Sequence, residues 1–142
     1  MLVRCLYASR TAQPPSAPLI TTLLAQCAKN NPRLGVTGVL CYTNDVFLQV
    51  LEGGRDEVCE LVNAITRDTR HTNVRILLFE EIKQRRYARW AMGQIDPSRV
   101  TQELLLRYSV KPVLNPFDAP GQTTMDLLDE LVTTGGVLAA RP

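Results

Sequence analysis

Apolar positions follow two rhythms along this chain, and the switches between them outline its elements. Over residues 2–8, Val3, Cys5 and Tyr7 alternate with Leu2 and Leu6, which is the period of a β-strand. A polar, proline-containing loop covers 9–15. Ser16 then predicts the N-cap of a helix over 17–29, with Pro18 tolerated in its first turn and Ile20, Leu23, Leu24 and Cys27 on one face. Asn30-Asn31-Pro32 is expected to end it. Residues 35–42 and 45–52 predict a hairpin with its turn at Thr43-Asn44, and Gly53-Gly54 is expected to break the second strand. A helix over 55–67 carries Val58, Leu61, Val62 and Ile65 as its apolar stripe. Strands over 73–81 and 88–95 follow, the second containing Trp90 and Met92.

The order β-α-β-β-α-β-β is an α/β (α+β) ferredoxin-like plan with one extra strand, hence a mixed five-stranded sheet. Right-handed crossovers place both helices on one face. The other face is apolar too: Phe47, Gln49 and Leu51 oppose Val46, Leu48 and Val50 in the third strand. That face is expected to be covered by the rest of the chain, by another subunit, or by both. Residues 101–109 and 123–133 read as two short helices around a loop with Pro112, Pro116 and Pro120, and Gly135 to Pro142 reads as a frayed end. The organisation expected is one compact unit: a domain over 1–96 and a helical extension over 97–142 for output and oligomerisation.

Composition narrows the function. The 142 residues carry a net charge of +2 with no long block of either sign, so neither nucleic acid nor an anionic membrane is called for. The cluster Lys83 to Arg86 with Arg89 reads as a solvated loop. No run approaches the ~20 apolar residues of a membrane span, and Met1-Leu2-Val3-Arg4 has no signal-peptide layout, which predicts a cytoplasmic protein. Cys5, Cys27, Cys41 and Cys59 lie far apart inside apolar elements and read as reduced, buried small hydrophobes. With one histidine, His71, no metal site is expected.

Gln49 breaks the apolar run Val46-Phe47-Leu48-Gln49-Val50-Leu51. An unpaired buried amide costs roughly 1–3 kcal/mol, so this position is either open to water or has a polar partner. A partner that is not protein is a ligand. Tyr7 shares the strand parity of Gln49, and Asn31 stands at the end of the first helix on the side a ligand between the helices meets. A phenol and two amides suit a planar heterocycle with carbonyl and imide groups and suit hydrolysis poorly. No nucleophile elbow, Walker A or dinucleotide fingerprint occurs. Gly35-Val36-Thr37-Gly38 and Gly53-Gly54 read as turn and packing glycines. Arg67-Asp68-Thr69-Arg70-His71 closes the second helix, where cations complement the dipole. There Asp68 could also accept from an imide and Arg70 could donate to a carbonyl.

These motifs, taken in order, resemble the BLUF domain, a blue-light sensor that uses flavin adenine dinucleotide. They are Leu6-Tyr7-Ala8-Ser9; Asn30-Asn31-Pro32 ahead of Thr37-Gly38-Val39-Leu40-Cys41-Tyr42; Phe47-Leu48-Gln49-Val50-Leu51-Glu52-Gly53; Asp68-Thr69-Arg70-His71; and Arg85-Arg86-Tyr87 with Trp90-Ala91-Met92. The likeness runs from about residue 2 to about residue 95. The tail, above all Leu105-Leu106-Arg107-Tyr108-Ser109, is similar to that of the short single-domain members, the PixD-like class.

The resemblance implies non-covalent FAD, with FMN or riboflavin as substitutes, its ring between the two helices and against the sheet. Tyr7 would be the electron and proton donor. Gln49 would bridge Tyr7 to flavin N5 and O4 and rearrange its amide on illumination. Asn31 would bind the imide edge, with Asn30 or Arg70 at the neighbouring carbonyl. Trp90 and Met92 would relay the change to the last strand. Some members carry an arginine where this chain has Ala64, so contacts from the second helix would fall to Arg67, Asp68, Arg70 and His71. A sensor is then expected rather than an enzyme, signalling as a homo-oligomer, at least a dimer, or to a response-regulator-like partner. The competing reading is a ferredoxin-like regulatory module that binds a small metabolite without photochemistry.

Overall fold

A computed structural model describes residues 1–11, 16–43 and 45–138. Five strands form one sheet in the order β4-β1-β3-β2-β5. They are β1 (Leu2–Thr11), β2 (Thr37–Tyr42), β3 (Val46–Gly54), β4 (His71–Ile82) and β5 (Gly93–Gln94). Each neighbouring pair among the first four is antiparallel, and β5 runs parallel to β2 through Val39–Gly93 and Leu40–Gln94. Helices α1 (Ala17–Leu34) and α2 (Arg55–Arg67) lie on one face, and α3 (Gln102–Tyr108) and α4 (Gly121–Thr133) lie on the other. The mixed ferredoxin-like sheet is therefore the one the sequence rhythm predicts.

Several boundaries differ, each for a local reason. Helix α1 runs through Asn30-Asn31-Pro32 and stops at Gly35, whose φ of 67° is left-handed. Gly35 N–H donates to Pro32 O and Val36 N–H to Asn31 O, so two final carbonyls are satisfied by a left-handed cap. Pro32 sits in the last turn, where its missing N–H leaves a single carbonyl without a helical donor. Gly53 and Gly54 stay in β3 opposite Val3 and Leu2, and α2 follows with Gly54 as its N-cap and Asp56 and Glu57 in its first turn. Of the hairpin turn, Thr43 N–H donates to Val46 O, and Asn44 lies outside the described residues.

The largest correction concerns 88–95. Only Gly93 and Gln94 are strand, so Trp90 and Met92 lie in the connector that precedes it. Same-parity residues there do not share a face: Trp90 packs with the core on the α3/α4 side and Met92 with the core on the α1/α2 side. The chain end is also tied further than expected. Val137 bridges Ile95, and Leu138 N–H donates to Gln94 O at 2.8 Å. Residues 139–142 fall outside the described part.

Two cores result, one on each face. Leu6, Leu48, Val50, Met125, Leu128 and Leu131 represent the α3/α4 side. Val3, Cys5, Leu51, Ile20, Val58 and Val62 represent the α1/α2 side. The tail thus covers the second face within the same chain. No helix among the described residues is long and apolar enough to cross a membrane.

Candidate functional site

The α1/α2 side is not filled. A cleft of about 150 Å³, partly open to solvent, lies between the two helices and the sheet. Its walls include Leu23, Leu61 and Ile65 from the helices, and Leu40, Phe47 and Leu51 from the strands. Apolar walls with a few convergent polar groups are the usual make-up of a small-molecule site.

Strand register brings Tyr7 and Gln49 together, since they are directly opposed across β1 and β3. Tyr7 OH donates to Gln49 Oε1. The other end of the amide, Nε2, donates to Met92 Sδ at 3.4 Å, a weak acceptor. Asn31 Nδ2 donates to Ala91 O at 2.8 Å, so the end of α1 is fastened to the connector. Tyr7, Asn31 and Gln49 are all buried, 1%, 3% and 7% exposed. Burial, with the nearby Cys27, Cys5 and Asp68, holds the Tyr7 phenol well above its ordinary pKa, so it stays protonated and can donate.

At the mouth, Asp68 and Arg70 form a two-pronged ion pair, with Arg70 Nε 3.0 Å from both carboxylate oxygens. Arg70 holds the Asp68 carboxyl at a pKa of about 2. His71 accepts or donates to Ser9 Oγ at 2.8 Å and stands edge-on to Phe47 at 5.0 Å. Its pKa is lowered mainly by burial, which favours the neutral ring.

Of the residues singled out in the sequence, Tyr7, Asn30, Asn31, Gln49, Asp68, Arg70 and His71 all line the cleft. Arg67 and Ala64 do not: both are on the exposed side of α2. Met92 touches the site through Gln49, and Trp90 packs on the far face. Cys27 and Gln26 also line the cleft. Contact with the amides of Asn31 and Gln49 makes the Cys27 thiol part of the polar floor, although burial still raises its pKa. Cys27 is half-buried and Cys59 exposed, so only Cys5 and Cys41 match the expectation of buried thiols.

Sequence reading also missed the fastening behind the site. Glu52 is fully buried and salt-bridged to Arg4 at 2.8 Å. The same carboxylate accepts the backbone N–H groups of Arg86 and Tyr87, the latter at 2.6 Å. Arg85, expected in a solvated loop, donates instead to Thr37 Oγ1 and Gly35 O. On the opposite side Tyr87 OH and Arg86 both reach Asp129 of α4. The connector is thereby bonded to the floor of the cleft, to β3 and to α4. A charge inside the run Gln49-Val50-Leu51-Glu52 was the available signal.

The pieces fit a flat, amide-rich heterocycle: a slot between two helices, apolar on its broad walls, with amides along one edge and an ion pair at its opening. Comparison with known proteins agrees. Residues 2–93 match the family model described as "BLUF: Sensors of blue-light using FAD". A photoactivated adenylate cyclase subunit beta of Euglena longa is 31% identical over 103 residues, covering 72% of this chain and 11% of that protein. The chain therefore spans about a tenth of the length of that relative. The solved structure of BlsA in its photo-activated state is 28% identical with a TM-score of 0.79, covering 100% of this chain and 99% of that one. BlrB, described as a BLUF protein in its dark state, is 28% identical with a TM-score of 0.74, covering 94% of this chain and 96% of the other.

Proposed function

The chain belongs to the BLUF family of blue-light sensors that use FAD, and from that premise we propose that it is a sensor rather than an enzyme and that Tyr7 and Gln49 are its photoactive pair. The observation that carries this is the buried hydrogen bond from Tyr7 OH to Gln49 Oε1 at the base of the cleft. Bound FAD supplies blue-light absorption and an excited state that accepts an electron.

The chain's own residues supply the rest. Asn31, Asn30 and Gln49 present amides that match a ring's carbonyl and imide groups, while Leu23, Leu61 and Phe47 supply apolar contact. Asp68, Arg70 and His71 close the mouth, and Arg67 has no place in this set because it lies outside the cleft. FMN or riboflavin would fill the same polar floor as substitutes.

Tyr7 holds an oxidisable ring and a proton at Oη. Its proton already points at Gln49 Oε1, so electron loss from the ring and transfer of that proton can be coupled. The Gln49 amide has a donor end and an acceptor end. Exchanging them, by rotation or tautomerisation, reverses the bond to Tyr7 without moving the strand. It also removes the donor now directed at Met92 Sδ. That methionine belongs to the connector, which is bonded through Tyr87 and Arg86 to Asp129. The signal then passes as a shift in population between two connector positions. Trp90 takes part from the tail face, against which it packs.

The output proposed is altered assembly of a homo-oligomer, at least a dimer, or altered affinity for a response-regulator-like partner. The segment from 97 onward carries it, and the working compartment is the cytoplasm. The test begins with purified protein. It should be yellow, release FAD on acid or heat denaturation, and show a small red shift under blue light that reverses in the dark. Colourless protein that cannot be reconstituted with FAD contradicts the proposal.

A further inference from the structure

Strand β4 is at one end of the sheet, and no other strand pairs with its outer side among the described residues. It is twelve residues long and carries two exposed apolar side chains, Ile76 at 56% and Phe79 at 41%. A long edge of this kind is a template for strand addition unless it is blunted. Prolines are absent from it, and its charges, Arg75, Glu80 and Glu81, are of both signs.

We propose that this edge pairs antiparallel with the same edge of a second copy, about a two-fold axis between Leu77 and Leu78. The register is chosen by faces. Opposite β1, Arg75 and Glu80 stand beside Ala8 and Arg4, on the α3/α4 side, while Ile76 and Phe79 stand beside Tyr7 and Cys5, on the α1/α2 side. A bulge at Leu77 separates the two halves of β4. Because of that bulge, residues 75 and 80 share a face, as do 76 and 79. In a continuous sheet, directly opposed residues must share a face. A two-fold between Leu77 and Leu78 satisfies this at each pair. It sets Arg75 against Glu80 of the other copy and Ile76 against Phe79 of the other copy, twice over by symmetry.

The strand is thus self-complementary in charge and in exposed apolar surface. Glu80 already carries Arg4 at 2.8 Å on its inner side, and an arginine across the edge would flank it on the outer side. This inference deepens the oligomer part of the proposed function. It does not depend on the photochemistry, because β4 contributes only its first residue, His71, to the cleft.

The test uses flavin-loaded protein and reads mass by light scattering or sedimentation, with the flavin spectrum as a check that the fold survives. Wild type should be a dimer. Arg75→Glu and Glu80→Arg should each weaken self-association by at least about tenfold, since each sets two like-charge pairs across the axis. Mixing the two variants should restore a dimer, because each chain then meets the opposite charge. Should Glu80→Arg lose its flavin, Ile76→Asp takes its place, with loss of the dimer expected and an unchanged spectrum. A wild-type monomer, a dimer in either single variant, or no recovery on mixing would each overturn the proposal. A monomer that instead captures a separate partner through β4 would assign the edge to that partner.

Discussion

The two faces of this sheet are built from the same alternation of apolar residues, yet they end in opposite states. On the α3/α4 side Leu48 and Leu128 are 0% and 1% exposed within a closed core. On the α1/α2 side Leu51 and Phe47 are as well buried, but they line an open cleft with Tyr7, Asn31 and Gln49 among them. One face therefore supplies stability and the other keeps a space. The difference teaches that a binding site can be written as one polar residue in an otherwise ordinary strand. The connector over 83–92, bonded on both sides, is where the two faces meet.

Removing the joint between the faces should have the largest effect on the fold. Glu52→Ala leaves Arg4 buried with one partner fewer and frees two backbone N–H groups, so it is expected to cost about 3–5 kcal/mol. Urea unfolding of the flavin-loaded protein measures it, and a loss under about 1 kcal/mol would mean that the joint is not structural. The same substitution on the two faces then sharpens the contrast. Leu128→Ala in the closed core should cost about 2–5 kcal/mol, whereas Leu23→Ala at the cleft wall of flavin-free protein should cost under about 2 kcal/mol. Equal losses would show that the cleft face is packed as tightly as the other.

On the cleft side, effects should appear in the ligand before they appear in the fold. Asn31→Ala removes an amide at the base of the cleft and is expected to weaken flavin binding about tenfold, measured by fluorescence titration. Unaltered affinity and an unaltered spectrum would remove Asn31 from the site. The smallest effect concerns acid. The carboxyl of Asp68 has a pKa of about 2 in the folded protein against an ordinary 3.8, so its ion pair stabilises the fold above the ordinary value. That contribution is lost as pH falls from about 3.8 through about 2. Asp68→Asn should flatten this part of the stability profile, and an unchanged profile would show that the Asp68–Arg70 pair does not hold the mouth.

Most of the fold was legible because alternation and helical spacing are local signals. The stripe Val58, Leu61, Val62 and Ile65 predicts α2 with the bounds observed, 55–67. The same holds for the placement of Gln49, since a polar residue in an apolar strand can be seen in sequence. What was not legible depends on contacts made far along the chain. Trp90 and Met92 read as neighbours on one strand face, but Glu52 and Gly38 hold the connector out of strand geometry and send the two side chains to opposite faces. Helix α1 outlasts Pro32 because Gly35, three residues on, provides the cap that ends it. Arg67 looked equivalent to Arg70, but Arg67 ends α2 on its exposed side, whereas Arg70 stands in the turn beyond the Asp68 cap, at the cleft. Glu52 read as part of a motif, without sign that its carboxylate holds backbone 34 residues away.

The proposed signalling path begins at the Gln49 amide, and one measurement addresses it directly: the light-minus-dark absorption spectrum of Gln49→Leu beside wild type. Leucine fills the space at the base of the cleft but has no donor or acceptor to exchange. The variant should bind flavin and remain yellow, with no reversible red shift, while wild type shows one. A normal, reversible shift in Gln49→Leu would contradict the assigned role and with it the path from the cleft to the connector.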